Sequence, residues 1–196
     1  MPGAWNPPTV AHVAVARAAL EWADEVVLTL PRVLPHKEFE GVSFRERVAL
    51  LCAVAAAGRG FSAATAEGGL YLEMADEAAA FFGDSTEIGL VCGRDAAERI
   101  AGWDYGRPGV FAEMLRRYPL LVAGRAGDYA VAPEHSGRVV SLSLGDEFSD
   151  VSSSEIRRRI AGGEEWRRVV PQEILERVEA LYGPPKSCRP TNVTNL

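Results

Sequence analysis

The sequence predicts an α/β fold, a parallel β-sheet covered by helices on both faces, and three observations carry that expectation. Apolar runs of strand length alternate with stretches of helical period along most of the chain, the pattern of strands joined by helical crossovers. The strand candidates are continuous apolar runs such as EVVLTL, IGLVC and LLVAG, as strands buried on both faces require. With 196 residues, 47% of them hydrophobic and 24% charged, the chain suits one generous core.

Taken in order, AHVAVARAALEWA has helical period and leads into a strand at Glu25 to Leu30, and SFRERVALLCAVAAA from Ser43 is helical again. Phe61 to Ala64 reads as a strand, followed by the helical LYLEMADEAAAFF. Ile88 to Cys92 is the next strand, with a short helix from Asp95 and another near Phe111 to Arg116. Strands at Leu120 to Gly124 and Val139 to Leu144 follow. The final third is helical, in SSEIRRRIAGG and in PQEILERVEALYG, where Pro171 suits a first turn and Gly183 a stop. From Pro184 the sequence has no period and few apolar residues, so residues 1–183 form the domain and 184–196 a loose tail.

No apolar run approaches the ~20 residues that cross a bilayer, and Met1 is followed by proline and glycine instead of a basic, then apolar leader. The expectation is a cytoplasmic protein with no membrane partner. Cys52, Cys92 and Cys188 are too scattered for a disulfide framework or a metal site, and they read as core or tail thiols. The formal charge of −6 argues against a nucleic-acid partner, and the run Arg157 to Arg159 is too small a basic footprint to reverse that. Acid is concentrated in the middle: residues 61–150 carry 7 basic against 15 acidic side chains, whereas residues 1–60 are balanced at 6 each and 151–196 carry 8 against 6. An anion site should therefore draw on the two ends of the chain.

In a doubly wound sheet, ligands bind beyond the carboxyl ends of the strands. Four segments fall there. In PGAWNPPTVAH, Gly3 permits a close backbone approach, Pro7 and Pro8 stiffen the turn, and Thr9 starts a helix whose unpaired amides can hold an anion. His12, three residues on, shares a face with Thr9. This segment resembles the signature loop of the nicotinate and nicotinamide mononucleotide adenylyltransferases, usually GG(T/S)F(D/N)Px(H/T)xxH. Gly3, Asn6, Pro7, Thr9 and His12 match, while Pro2 and Trp5 depart from the pattern.

Three further boxes resemble the same family, in its order. Leu34-Pro35-His36-Lys37 is similar to its PxHK-type loop, which implies phosphate contact by Lys37, whereas Arg45 and Arg47 read as exposed helix residues. GRDAAERIAGW is similar to its GxDxxxxLxxW box: Gly93 clears room, Asp95 caps a helix or meets a ribose hydroxyl, and Trp103 offers a flat face to a pyridine ring. DVSSSEIRRRI resembles its (D)ISSTxIR element, in which Ser152, Ser153 and Arg157 grip the β and γ phosphates of ATP, with Arg158 and Arg159 turned to solvent. Taken alone, this last segment reads rather as a serine-capped basic helix.

The resemblance implies a Rossmann-like nucleotidyltransferase that moves AMP from ATP to a pyridine mononucleotide and releases pyrophosphate. His12, Thr9 and Arg157 would be catalytic. Gly3, Ala4, Asn6, Lys37, Gly93, Asp95, Ser152 and Ser153 would bind ATP, and Trp103 and Tyr71 the acceptor. Mg2+ would arrive on the ATP phosphates with no protein metal site, and self-association is left open. In the family a segment like SYT opens the helix after the third strand; here Gly68-Gly69-Leu70-Tyr71 keeps only the tyrosine, so phosphopantetheine stays open as an alternative acceptor. The family's loop also follows a central first strand. Met1 stands directly before the loop, so that strand is missing from the sequence as written. The expectation is that the natural start lies upstream, the alternative being a catalytically silent nucleotide-binding module.

Overall fold

A computed structural model of the chain describes residues 1–35, 41–124 and 129–184. The predicted tail lies, apart from Pro184, outside the described residues, as do His36 and Lys37. Helix α1 (Val10–Ala19) precedes β1 (Val26–Pro31), followed by α2 (Phe44–Ala57), β2 (Phe61–Ala66), α3 (Tyr71–Phe82) and β3 (Leu90–Gly93). Then come α4 (Arg94–Ala101), α5 (Val110–Arg117), β4 (Leu120–Ala123), β5 (Val139–Leu142), α6 (Ser153–Gly162) and α7 (Leu175–Tyr182). All strand pairings are parallel: β1 with β2 from Val26 opposite Phe61 to Pro31 opposite Ala66, and β3 with β4 with β5. The predicted α/β class is therefore borne out, and most element ends differ from the sequence expectation by one or two residues, whereas α1 stops four residues short of Ala23 and α7 starts four residues after Pro171.

Strand alternation sorts the core into two layers. On one face Val26, Leu28 and Leu30 of β1 join Val91, Leu121, Ala123 and Leu142 beneath α1, α2, α6 and α7. On the other, Leu90, Cys92, Leu120, Val122 and Val139 pack against Ala75 of α3, Ala97 and Ile100 of α4 and Met114 and Leu115 of α5. The first layer spans both groups of strands and joins them.

Among the described residues no strand lies hydrogen-bonded between β1 and β3, so the sheet stands in two parallel pieces. The expected bare edge of β1 is nevertheless covered in part. The Thr29 amide donates to the Met1 carbonyl at 2.9 Å, the Gly3 amide donates to the Thr29 carbonyl at 3.0 Å, and the Met1 amine donates to the Val27 carbonyl at 2.8 Å. Buried main-chain groups need such partners, and residues 1–3 supply them before turning into the loop.

Candidate active site

The loop Ala4–Pro8 is held by donors from three helices. Arg47 of α2 donates to the Ala4 carbonyl at 3.1 Å, Arg157 of α6 to the Asn6 carbonyl at 2.6 Å, and Ser153 to the Pro7 carbonyl at 2.7 Å. Tyr182, the last residue of α7, donates to Oδ1 of Asn6 at 2.6 Å. Trp5 sits at φ +50° with its ring buried, and its indole N–H donates to the Thr29 carbonyl at 2.8 Å. A Cβ added at Gly3 would stand 2.9 Å from that indole. The glycine therefore makes room for Trp5, and it also borders the cavity described below.

Thr9 caps α1 and forms a capping box with His12. The Thr9 amide lies 3.1 Å and its hydroxyl 2.8 Å from Nδ1 of His12. A backbone amide can only donate, so Nδ1 is the acceptor and the ring proton sits on Nε2. The ring is braced by Trp5, centroid to centroid 5.0 Å. Thr9 itself is fully buried. It lies outside the cavity lining and orients the histidine that lines it.

A cavity of about 390 Å³ opens where β1 and β3 end. It is lined by Gly3, Ala4, Asn6, His12, Tyr71, Gly93, Asp95, Trp103, Ser152, Ser153 and Arg157 among the residues singled out from sequence. Segments as distant as Gly3 and Arg157 thus meet in one place. A Cβ at Gly93 would enter open space, in keeping with a glycine that leaves room. Gly93, not Asp95, is the N-cap of α4; Asp95 lies in the first turn with a largely exposed side chain. Ser152 caps α6 by accepting from the Glu155 amide at 3.2 Å, and Arg157 also reaches the Ser154 hydroxyl at 3.3 Å. The α6 box is therefore a strut for the loop as well as a wall of the cavity. Burial, opposed by Arg99, pushes the Tyr71 phenol far above its usual range. Burial also drives the Cys92 thiol up to about 12. Both groups stay neutral.

Several residues escaped the sequence reading. Among the described residues Arg94 and Arg99 line the cavity with Arg157, against a single carboxylate, Asp95, so a chain of net charge −6 presents a cationic pocket there. Arg47 is buried, not exposed. Cys52 is exposed and Cys92 buried, so the apolar run around Cys52 did not place it in the core. Arg158 does project outward, but into ion pairs with Glu155 and Glu164, and Arg159 also pairs with Glu155. Beside the cavity, sharing Trp103, runs an open groove whose walls carry Glu67, Glu73, Asp76 and Glu77. There the amides of Glu67 and Gly68 donate to Glu77 and those of Gly69 and Leu70 to Glu73, at 2.6 to 3.0 Å. Glu73 stands at capping-box spacing from Leu70, but with leucine in place of serine or threonine the motif is hidden.

Parallel strands under flanking helices define a Rossmann-like α/β protein, and the cationic cavity lies at the strand ends, where open α/β sheets bind ligands. A family model described as cytidylyltransferase-like matches residues 1–159, and the chain belongs to that family. It is 28% identical over 181 residues to a probable nicotinate-nucleotide adenylyltransferase of Gemmatimonas aurantiaca, covering 88% of this chain and 84% of the relative. A protein of the same name from Exiguobacterium sibiricum is 24% identical over 191 residues, covering 91% and 94%. Among solved structures, the Plasmodium falciparum nicotinic acid mononucleotide adenylyltransferase in complex with NaAD superposes with a TM-score of 0.69 at 13% identity, covering 93% of this chain and 96% of that one. The same enzyme complexed with APC gives 0.68 at 12% identity, covering 91% and 92%.

Proposed function

We propose that this protein is an adenylyltransferase that moves AMP from ATP to nicotinate mononucleotide and releases pyrophosphate, a step of NAD biosynthesis. The observation that carries the reading is the convergence of His12, Arg157 and the Ala4–Asn6 loop on one cationic cavity. The names of the two bacterial relatives supply the acceptor.

Transfer of this kind asks the protein to hold two polyanions in line and to neutralise charge as it develops. The acceptor phosphate is itself the nucleophile, so no general base is required. His12 offers Nε2–H to an ATP phosphate oxygen. Arg157, with donors left beyond its bonds to Asn6 and Ser154, stabilises the departing pyrophosphate. Ser152 and Ser153 border the same end of the cavity. Gly93 leaves space for the nucleotide, Asp95 faces its ribose, and Trp103 with Tyr71 borders the pyridine ring. The contribution expected of Lys37 lies outside the described residues.

Mg2+ held on the ATP phosphates would supply charge neutralisation there. Among the described residues no group of three or more His, Cys, Asp or Glu side chains could hold a metal ion. A cation bound by triphosphate and water needs no such cage, and Asp95 is the carboxylate that lines the cavity among the described residues.

The test is direct. Full-length protein is incubated with ATP, MgCl2 and, in turn, nicotinate mononucleotide, nicotinamide mononucleotide and phosphopantetheine, and pyrophosphate and the adenylated product are quantified. Stoichiometric dinucleotide and pyrophosphate with a pyridine acceptor are expected, and none with phosphopantetheine. Absence of pyrophosphate with both pyridine mononucleotides overturns the assignment.

A further inference from the structure

We propose that Tyr182 is a positioning residue: it fixes the side-chain amide of Asn6 so that the NH2 group, and not the carbonyl, faces the cavity. This rests on the reading of that cavity as the ATP site.

Asn6 lines the cavity and is almost wholly buried. Its main chain is immobilised: Arg157 holds its own carbonyl, while Arg47 and Ser153 hold those of Ala4 and Pro7. One freedom is left to it. An asparagine amide can turn over by 180° with almost no change of shape, exchanging an acceptor for two donors. Facing a triphosphate, the two orientations have opposite effects, since NH2 binds a phosphate oxygen and C=O repels it.

What selects between them is the phenol on the far side. Tyr182 lies 2.6 Å from Oδ1 of Asn6. Its hydroxyl could in principle donate or accept, but Arg157 and Arg47 both act on it electrostatically, with Glu46 a smaller opposing charge. Two cations draw the oxygen lone pairs toward themselves and turn the hydroxyl hydrogen away, toward Asn6. Burial holds the phenol above its usual range, so the proton is retained against that cationic pull. Tyr182 therefore donates, Oδ1 turns to meet it, and Nδ2 is left for the cavity. No residue of α7 lines the cavity itself, so the tyrosine acts through Asn6. No sequence motif points to it.

The experiment is calorimetric titration of ATP with MgCl2 into wild type, Tyr182→Phe, Asn6→Ala and the double variant, alongside steady-state kinetics and thermal melts. Tyr182→Phe keeps the ring and removes the hydroxyl. Its ATP affinity is expected to fall about tenfold, of the order of one hydrogen bond to a charged group, with a matching rise in KM for ATP and little change in KM for the acceptor. Asn6→Ala is expected to lose at least as much, and the double variant no more than Asn6→Ala alone. A purely structural tyrosine would lower the melting temperature without touching ATP affinity, and one that acted on ATP independently of Asn6 would multiply its effect with that of Asn6→Ala. Either result overturns the proposal, as does an Asn6→Ala protein that binds ATP like wild type, a measurement available even should Tyr182→Phe not fold. Wild type that turns over while Tyr182→Phe binds ATP unchanged defeats this inference alone. Wild type that neither binds ATP nor releases pyrophosphate defeats the functional assignment with it.

Discussion

The guanidinium of Arg47, buried in the first turn of α2, donates to the main-chain carbonyl of Ala4 at 3.1 Å. It ties the second helix to the loop that enters the first. Burial pulls this arginine below its usual pKa, a sign of what its desolvation costs. Arg47→Ala would leave the Ala4 carbonyl without this donor and open a void beside Phe44, whose ring lies 5.8 Å from the guanidinium carbon. The expected loss is about 2–4 kcal/mol of stability, or a fall in melting temperature of roughly 5–15 °C for a chain of this size. Arg47→Lys, a single-point donor on a flexible stem, should recover only part of it. A melting curve of Arg47→Ala that overlays wild type would remove Arg47 from the support of the loop.

Arg47 also shows where the sequence ceases to be legible. Helical period places a residue on a helix face, and an arginine among SFRER reads as solvated. What buries it is the Ala4–Asn6 loop, 43 residues away from it at Ala4, and no local pattern encodes that approach. The same holds for Tyr182 and Asn6, 176 residues apart. Strands were readable because double-sided burial writes itself as apolar runs, and the cavity-lining boxes because Gly93, Asn6 and His12 sit at fixed spacings. Arg94 and Arg99 were in plain view inside GRDAAERIAGW, but only folding turns that helix so that both border the cavity.

His12 presents Nε2–H because Thr9 occupies Nδ1. On the proposed function His12→Ala removes a donor aimed at developing phosphate charge, and such losses cost ~10²- to 10³-fold in rate, about 3–4 kcal/mol. Pyrophosphate release should fall on that scale with KM for ATP changed far less. A variant that keeps more than half its turnover would exclude His12 from the chemistry.

Thr9→Ala separates orientation from contact. Losing the N-cap hydroxyl costs about 1 kcal/mol of stability, and freeing the imidazole should lower kcat by about tenfold although Thr9 is outside the cavity lining. Thr9→Ser, which keeps the hydroxyl, should restore both. Equal damage from serine and alanine would mean that the methyl packing, and not the bond to Nδ1, is what matters.

Cys92 and Cys52 should respond oppositely to a thiol reagent. Cys92 is buried in β3 with its thiol pushed up to about 12 by desolvation, whereas Cys52 is exposed on α2. Brief alkylation of folded protein near pH 8, followed by peptide mass analysis, should find Cys52 modified and Cys92 protected until denaturant is added. Because the folded thiol keeps its proton above the ordinary value of 9.0 while the unfolded one gives it up, stability should decline as pH rises from about 9 toward 12. Labelling of Cys92 at the rate of Cys52 in native buffer would contradict the burial assigned to β3.

Glu73 bears on the choice between acceptors. Its carboxylate accepts from the amides of Gly69 and Leu70 at 2.9 and 3.0 Å, and these two residues line the same cavity as His12 and Trp103. On the proposed function, an acceptor carboxylate brought to that wall would meet the negative charge of Glu73 beside amides already engaged, whereas an uncharged carboxamide would meet the same amides without the repulsion. Glu73→Ala frees both amides and removes the charge. The ratio of kcat/KM for nicotinate over nicotinamide mononucleotide should rise by about tenfold, which corresponds to about 1.4 kcal/mol and is the scale of one charge-assisted hydrogen bond. Glu73→Gln, which removes the charge but keeps an oxygen able to accept from both amides, should give an intermediate ratio. Loss of the capping bonds alone would lower stability and slow both acceptors equally, so a ratio unchanged in Glu73→Ala would show that Glu73 serves only to start α3.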